Sequence, residues 1–480
     1  MLERTVFMID RKKVILYTCC MSLFVVTMDV TVVNVALPSI QSDFHTNLST
    51  LQWVTDGYTL MVASLLLLSG STADRIGRKR VLQLGLACFG LASFLCGISQ
   101  TPGQLIAFRM LQGIGGSMLN PVAMSIITQV FTEKLERAKA IGLWGSVTGI
   151  SLGMGPIIGG LIVSYFSWRY VFFVNVPIIA AAIILTQKFV PESKVEKTVK
   201  NDFVGQALMI LFLFSSIYSI IGLPRKGLFA PDILSTGIIG CLAIVIFFIY
   251  EYNIDNPLIN PRFFLSIPFT SASFLAIFGF IIYNGYLFLN TLYLQEMRGF
   301  SPLEAGLSTI PLAFVSFLVA PRAGEMVGRI GTKRPIMLCG ISMLAVSFLQ
   351  LFVTKTTPMI ILFIIYIFLG IGFGMLNSPI TITAIEGMPL SQSGTAAAIA
   401  VTCKQIGNSL GVALPSLLIT KPITSSLTRT PFTNVWLLFG CCAIAIIFLS
   451  YLSNSPLAKK SLRRVRQIKI FLKGKEDKLR

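Results

Sequence analysis

The chain has 480 residues, of which 54% are hydrophobic and 12% are charged. Soluble domains carry about 25% charged residues, so the composition excludes an ordinary soluble protein and indicates an integral membrane protein. A net charge of +19 is also seen in nucleic-acid-binding proteins. Here the basic residues are spread over short connections between apolar runs, so we expect no nucleic-acid partner.

Apolar runs of about 20 residues, the length that crosses a hydrocarbon core of roughly 30 Å, recur along the whole chain. The fourteen predicted spans cover residues 14–38, 50–72, 81–99, 103–128, 139–164, 168–189, 203–222, 232–250, 268–293, 304–321, 336–354, 358–384, 395–419 and 434–453. They are too long for the strands of a β-barrel, which have about ten residues of alternating polarity. We therefore expect an all-α integral membrane protein with fourteen transmembrane helices.

Lysine and arginine residues set the predicted orientation, because cytoplasmic loops carry an excess of them. With the N-terminus inside, the inside segments hold 30 of these residues and the outside loops hold 7. Both termini are therefore predicted to be cytoplasmic. We expect the basic tail, residues 454–480, to lie against anionic lipid headgroups; a regulatory or partner-binding role is the alternative. The nine cysteines show no metal-ligand spacing and there is one histidine, so no metal site is predicted.

Two carboxylates lie inside the first two spans, where a charge is costly. Counted at about 1.5 Å per residue, Asp29 lies roughly 22 Å from the inner end of span one, and Asp56 about 9 Å below the outer end of span two. A buried carboxyl group can take up and release a proton, or stay ionised and hold a cation. We predict that both groups couple proton and substrate. The alternative is a carboxylate that is satisfied by polar neighbours such as Asn34, which is itself a candidate for the substrate cavity.

The loop after span two reads "GSTADRIGRKR" and spans residues 70–80. Its two outer glycines, Gly70 and Gly77, permit a close backbone approach and a tight turn. Asp74 lies at the inner end of the span, and four cations follow it: Arg75, Arg78, Lys79 and Arg80. The cations by themselves are explained by topology alone.

Spans four and five carry further unusual residues. Arg109 lies within span four, where a cation faces the bundle interior by default; a purely structural ion pair and snorkelling to the interface are the alternatives. Glycines at spacings of four in span five predict one face on which a neighbouring helix approaches closely, and a proline bends the helix. The residues of this motif are Gly149, Gly153, Gly155, Pro156, Gly159 and Gly160.

Span nine carries a polar and aromatic stripe at helical spacings of three and four. Its members are Tyr283, Tyr286, Asn290 and Tyr293. Aromatic faces bind lipophilic cations, so the stripe is a candidate wall of the substrate cavity; packing is the alternative. Glu386 and Lys404, in spans twelve and thirteen, are ambiguous between a cavity role and a structural one.

The loop after span ten, "GEMVGRIGTKR", repeats the glycine frame, the Arg-Ile-Gly core and the Lys-Arg end of the first loop. Eight spans separate the two copies. The repeat predicts two six-helix bundles, residues 1–190 and 256–453, with two additional helices in a linker over residues 191–255. The second copy has Gly328 where the first has Asp74, so no role of the aspartate is transferred to it.

Several strings resemble the major facilitator superfamily. "GSTADRIGRKR" is similar to its cytoplasmic loop signature, "LIAFRMLQGIGGSM" to its fourth-helix motif and "GMGPIIGG" to the fifth-helix motif of its antiporters. "MDVTVVNVALPSI", "WRYVFFVNVPI", "YLQEMRGFSPLEAGL" and "KQIGNSLGVAL" resemble the fourteen-helix drug:proton antiporter branch. The likeness covers nearly the whole chain.

The resemblance implies a monomeric antiporter of the bacterial cytoplasmic membrane that exports small amphiphilic compounds, cationic drugs included, in exchange for protons. It implies a gating role for the loop of residues 70–80, a role of Arg109 in proton coupling, and a sealed contact at span five that favours exchange. Protons are the coupling ion, no cofactor is expected, and membrane lipids and substrates are the expected partners. An exporter of one endogenous metabolite and a proton-coupled nutrient importer are the alternatives. An enzyme is disfavoured, because the sequence places no His/Asp or Cys/His cluster on one face.

Overall fold

A computed structural model of the chain describes residues 2–193, 202–254, 257, 261–386, 390–419, 432–458 and 460–461. Over these residues the fold is all-helical without strands, which confirms the predicted class. The helices are α1 (Leu2–Phe44), α2 (Leu48–Ile76), α3 (Arg78–Gly97), α4 (Pro102–Val130), α5 (Lys134–Tyr165), α6 (Tyr170–Phe173), α7 (Asn175–Phe189), α8 (Phe203–Lys226), α9 (Pro231–Asn253), α10 (Ile267–Leu292), α11 (Pro302–Ser308), α12 (Ile310–Ile330), α13 (Lys333–Gln350), α14 (Met359–Gly374), α15 (Asn377–Ile385), α16 (Leu390–Ala413), α17 (Pro415–Leu418) and α18 (Thr433–Leu452). A π-helical turn, Tyr293–Met297, extends α10.

Helical segments lie over each of the predicted spans, and short breaks divide four of them, at the α6–α7, α11–α12, α14–α15 and α16–α17 junctions. Each break has a proline within the first three residues of the helix that follows it: Pro177, Pro311, Pro379 and Pro415. Proline lacks the backbone N–H that would continue the helix and its ring crowds the preceding turn. The breaks therefore follow directly from the sequence.

Of the helices in the described ranges, nine are long and apolar enough to cross a membrane, so the chain is a multi-pass membrane protein. Helices α2 and α4 are not among the nine. They carry buried polar side chains such as Gln52 and Gln112, and a helix that other helices shield from lipid does not need an apolar surface. Fourteen crossings and a cytoplasmic location of the termini stay predictions.

Two helical bundles make up most of the molecule. Helices α1–α7 pack on one another through the pairs α1–α5, α2–α4, α3–α4 and α1–α7, and helices α10–α18 through α10–α16, α13–α18 and α12–α14. Buried apolar side chains fill both interiors, for example Phe89 and Leu119 in the first bundle and Phe288 and Phe439 in the second. The two bundles meet at the α2–α16, α5–α11 and α5–α12 contacts.

Helices α8 and α9 form a pair beside the first bundle. Gln206 of α8 donates a hydrogen bond to the Ser64 carbonyl of α2, and the ring of Trp53 lies 5.7 Å from that of Phe214. The surface of α9 is largely apolar and exposed; Ile249, for instance, is 60% exposed. This pair therefore presents a lipid-facing surface and is attached to the bundles on one side through α8.

Candidate functional site

Asp29 lies at the centre of a buried polar network in the first bundle. Its Oδ2 accepts a hydrogen bond from Nη1 of Arg109 at 2.5 Å, and its Oδ1 accepts from the amides of Asn175 and Gln112, both at 2.8 Å. Asp29 is 0% exposed and Arg109 is 1% exposed. The network joins α1, α4 and α7, and the carboxylate has both an opposite charge and two neutral donors, so its charge is compensated within the bundle.

The guanidinium of Arg109 is also tied to α2. Its Nε donates to the carbonyl of Val54 at 3.1 Å, and its Cζ lies 4.5 Å from the centroid of the Tyr58 ring, a cation–π arrangement. Sequence reasoning selected Asp29 and Arg109 separately and left a structural pairing open as an alternative. The structure brings them into contact; their role in coupling stays a prediction.

The amide partners in this network were missed from the sequence. Gln112 follows Arg109 by three residues on α4, and its Nε2 donates to Ser93 as well as to Asp29, both at 2.8 Å. Asn175 lies within the "FVNVP" string that supported the family resemblance. Polar side chains inside predicted spans were the available signal, because such groups are costly in lipid unless they are paired.

Asp56 lies in a different environment, the inter-bundle seam, which we define as the α2–α16 contact at Gln52, Asp56 and Thr59. Gln52 donates to the carbonyl of Val412 at 2.7 Å, and the hydroxyl oxygens of Thr59 and Ser409 are 2.7 Å apart. Asp56, four residues after Gln52 and three before Thr59, shares their face of α2. It is 0% exposed, and neither carboxylate oxygen accepts a hydrogen bond from the residues that the structure describes.

The two carboxylates are not brought together. Val54 and Tyr58 place one face of α2 against Arg109, and Asp56 is offset from Val54 by two residues, about 200° around the helix. Asp29 therefore faces the interior of the first bundle, whereas Asp56 faces the second bundle. The similar depths predicted for Asp29 and Asp56 in the membrane did not indicate that the two carboxylates face different bundles.

A small cavity lies between the two bundles. Its volume is about 30 Å³, and Asn34, Tyr283 and Asn290 are among its lining residues, together with Thr31 and Thr309. The amide of Asn34 makes no hydrogen bond with described residues. Pockets for drug-sized ligands measure about 300–1,000 Å³, so a substrate of that size fits here only when the bundles separate.

The other two members of the predicted stripe lie elsewhere. The hydroxyl of Tyr286 accepts a hydrogen bond from Nε2 of Gln350 at 3.0 Å inside the second bundle. Tyr293 donates to the carbonyl of Thr354 at 2.7 Å. A stripe at spacings of three and four covers a wide arc of helix α10, and only part of this arc faces the cavity. Tyr286 and Tyr293 thus take their partners from the second bundle.

Backbone contacts join the bundles at the face that carries the α1–α2 loop, residues 45–47, predicted to be the outer face. The side-chain amide of Gln295 donates to the backbone carbonyl of Val35 at 2.9 Å, and the backbone N–H of Leu303 donates to the hydroxyl of Ser164 at 3.2 Å. A Cβ added to Gly306 would lie 2.1 Å from the carbonyl oxygen of Pro156. Helices α5 and α11 therefore touch backbone to backbone, and the structure is closed at this face.

The glycines of α5 occupy two faces of the helix, and the prediction of a single face is wrong. A Cβ added to Gly155 would lie 1.8 Å from Oγ1 of Thr31, and Gly159 packs against Val32, both on α1. Gly160 packs against the backbone of Leu303, and Gly153 against Ala313, in the second bundle. Positions 153 and 160 lie on one face of α5, and positions 155 and 159 lie on another. The motif therefore allows close packing on both sides of the helix. The surroundings of Gly149 lie outside what the structure describes.

Residues 70–80, predicted to be a loop, are helical except at Gly77, which separates α2 from α3. Their described contacts lie within the first bundle. Gly77 has a φ of +118°, which favours glycine, and an added Cβ would lie 2.4 Å from the carboxylate of Glu192. Lys79 donates to the carbonyl of Gln187 at 2.7 Å, and Nε of Arg80 lies 3.6 Å from Glu192. Arg78 bonds the side chain of Gln129 at 3.3 Å, and Arg75 is exposed.

Gly70 and Asp74 are the two remaining residues for which the sequence predicted a role in this segment. No described atom lies within 4 Å of a Cβ added to Gly70, so the close approach expected there stays a prediction. Asp74 belongs to α2, but its side chain is outside the part of the chain that the structure describes, so its part in the expected gating role stays a prediction.

Solved structures with this fold support the helical architecture. A peptide transporter in complex with sulfate matches with a TM-score of 0.67 at 16% sequence identity, over 94% of this chain and 95% of that one. At this identity the likeness concerns the fold alone. It agrees with the all-helical architecture described above.

Sequence comparison is more specific. The family model described as Major Facilitator Superfamily matches residues 19–412. The multidrug resistance protein Stp of Mycobacterium tuberculosis is 32% identical over 397 residues, covering 82% of this chain and 73% of the relative. The riboflavin transporter RibZ of Clostridioides difficile is 27% identical over 448 residues, covering 91% of this chain and 96% of the relative. These matches confirm the resemblance, and the chain belongs to the Major Facilitator Superfamily.

Proposed function

We propose that this protein is a proton-coupled antiporter that exports small amphiphilic compounds across a bacterial cytoplasmic membrane by alternating access. The relatives named for multidrug resistance and for transport support a transporter rather than an enzyme, and the name of the first favours export. The observation that carries the coupling part of the proposal is the contrast between two buried carboxylates: Asp29 is paired with Arg109, whereas neither carboxylate oxygen of Asp56 accepts a hydrogen bond from described residues and no described cation forms an ion pair with it.

Asp56 is the better placed of the two to carry the proton. An ionised carboxylate without a counter-charge is costly in a site that excludes water, and protonation removes this cost. Closing the seam around Asp56 is therefore favoured when the group has taken up a proton. Closure of the predicted outer face would then be linked to proton uptake from the outside, and a later release to the inside would complete the transfer.

Asp29 and Arg109 have a second role in this proposal. Their pair holds α1, α4 and α2 together, so the first bundle moves as a unit while the seam opens and closes. The cavity lining of Asn34, Tyr283 and Asn290 supplies polar and aromatic contacts to the substrate once the bundles separate. The protein acts as a monomer, needs no cofactor, and uses the proton as its coupling ion.

The energy available is sufficient for concentrative export. One proton that moves inward down a potential of 100 mV supplies about 2.3 kcal/mol, which corresponds to about a forty-fold concentration ratio. A pH gradient adds to this value. Coupling to one proton would thus produce measurable resistance.

The test is dye uptake into energised inverted membrane vesicles, with and without a protonophore. We expect the protonophore to abolish uptake by the wild type, and Asp56→Asn to abolish pH-driven uptake while dye still equilibrates. Asp232→Asn, at an exposed acid near the α8–α9 connection, is the matched control and should behave as wild type. Uptake that persists with the protonophore would refute proton coupling. Normal coupling in Asp56→Asn would move the proton site to another group, with Asp29→Asn as the next variant.

A transporter for one endogenous compound is the second candidate. It is favoured by the relative named as a riboflavin transporter, which matches this chain over 91% of its length. Competition separates the two functions: a multidrug exporter is inhibited by several unrelated amphiphiles, whereas a dedicated transporter is inhibited by one compound and its close analogues. Inward, gradient-driven accumulation in whole cells would instead indicate an importer.

A further inference from the structure

Lys404 is a cation in the middle of helix α16 for which the coupling mechanism has no use. Its Nζ donates a hydrogen bond to Oδ1 of Asn377 at 3.0 Å and lies 5.9 Å from the centroid of the Phe280 ring. The side chain is partly exposed, although it lies within a helix that packs against α2, α10 and α15. Lys404 therefore lies at a packed helix contact and keeps part of its side chain accessible.

The ammonium has no acidic partner among the residues that the structure describes. Ser409 meets Thr59 across the inter-bundle seam, and Lys404 precedes Ser409 by five residues. At about 1.5 Å per residue, Lys404 lies roughly 12 Å along the bundle from the level of Asp56. Glu386 is nine residues, or roughly 13 Å, from Asn377 along α15. A neutral amide compensates a partly buried cation only in part.

An aromatic surface connects Lys404 with the central cavity. The ring of Phe280 lies edge-on to Phe373 at 5.9 Å, and Tyr283 stacks on Phe373 with centroids 3.8 Å apart. Tyr283 in turn lines the cavity. These three rings are at most 9% exposed in this structure, so a ligand with an aromatic body and one charged end would reach them, and the cation at their end, when the bundles separate.

We propose that Lys404 binds the negatively charged group of anionic aromatic substrates, such as carboxylates or phenolates. This inference rests on the proposed transport function and specifies its substrate class. An anion that enters the site supplies the charge that Asn377 lacks, and the charged hydrogen bond forms where water is largely excluded, so it is stronger than at a surface. The protein would therefore favour anionic over cationic compounds of the same shape.

The experiment uses two xanthene dyes of nearly the same shape, anionic fluorescein and cationic rhodamine 123, binding to the purified full-length protein in detergent. Fluorescence anisotropy gives the Kd of each dye without a proton gradient. We expect Lys404→Gln to weaken fluorescein binding by roughly 10- to 100-fold, the effect of losing a hydrogen bond to a charged group. Lys404→Arg should retain binding within about threefold, since it keeps the charge.

Rhodamine 123 binding shows whether the variant is folded, and should be unchanged or tighter in Lys404→Gln. Lys355→Gln, at an exposed lysine between α13 and α14, is the matched control and should leave both Kd values unchanged. Equal weakening of both dyes, unchanged fluorescein binding in Lys404→Gln, or no fluorescein binding by the wild type would overturn the assignment. If fluorescein binds through Lys404 but no proton gradient drives its uptake into vesicles, the proposed function fails and this inference stands.

Discussion

Asparagine substitutions at Asp29 and Asp56 should change stability in different ways. Asp29→Asn removes the only negative charge in contact with Arg109 in the described network and leaves a buried guanidinium uncompensated. Breaking a buried ion pair from one side costs about 3–5 kcal/mol. Asp56→Asn removes no hydrogen bond that the structure describes at its carboxylate. We therefore expect the free energy of unfolding to stay the same or to rise by no more than about 1 kcal/mol.

Thermal unfolding in detergent, followed with a thiol-reactive dye, measures this contrast. The chain suits the assay because Cys19, Cys96 and Cys339 are free and buried, so they react when the bundles unfold. The double variant Asp29→Asn/Arg109→Met is the control for the ion pair, since it removes both charges. We expect it to unfold at a higher temperature than Asp29→Asn alone. Equal destabilisation by Asp29→Asn and Asp56→Asn, or strictly additive effects in the double variant, would refute the assignment of a paired and an unpaired carboxylate.

Four further substitutions test the closed face, the inter-bundle seam and the loop. Gly306→Ala forces a Cβ against the carbonyl of Pro156, so it should separate α5 from α11 and increase labelling of cysteines introduced into the cavity from the outside. Gln52→Ala removes one hydrogen bond across the seam, worth about 1 kcal/mol, and should raise the open population about fivefold by the same labelling; unchanged labelling would contradict a seam role. Gly77→Ala should lower the free energy of unfolding by about 1–3 kcal/mol, because the backbone φ of Gly77 is +118°. Gly70→Ala should leave it unchanged, and the thermal unfolding assay described above measures both.

The helices and the residues worth examining could be predicted from the sequence. Apolar runs mark helices because the backbone must satisfy its own hydrogen bonds in lipid. Asp29 and Arg109 stand out because a charge inside such a run is costly. The proline that follows the break in each divided span was also visible, although an effect of proline on the helix was assigned only in span five.

The partners of these residues could not be predicted. Asp29 and Arg109 are 80 positions apart, and a pairing between them depends on how far each helix is rotated about its own axis. Asp56 shows the same limit: its depth followed from counting residues, but the neighbour that it faces follows from the packing of α2 on α16. The tyrosines of α10 and the glycines of α5 were grouped by spacing, whereas three-dimensional packing distributes each group over two environments.

Helix α5 combines two kinds of contact with different lifetimes. Gly155 and Gly159 hold it against α1 of its own bundle, and Gly160 holds it against α11 of the other. In the alternating-access cycle that we propose, the first contact would persist and the second would be made and broken in every cycle. Bulky substitutions on the α1 side should therefore reduce the amount of folded protein, whereas those on the α11 side should alter turnover at normal expression. Substitutions on the two sides of one helix should thus affect protein stability and transport rate separately.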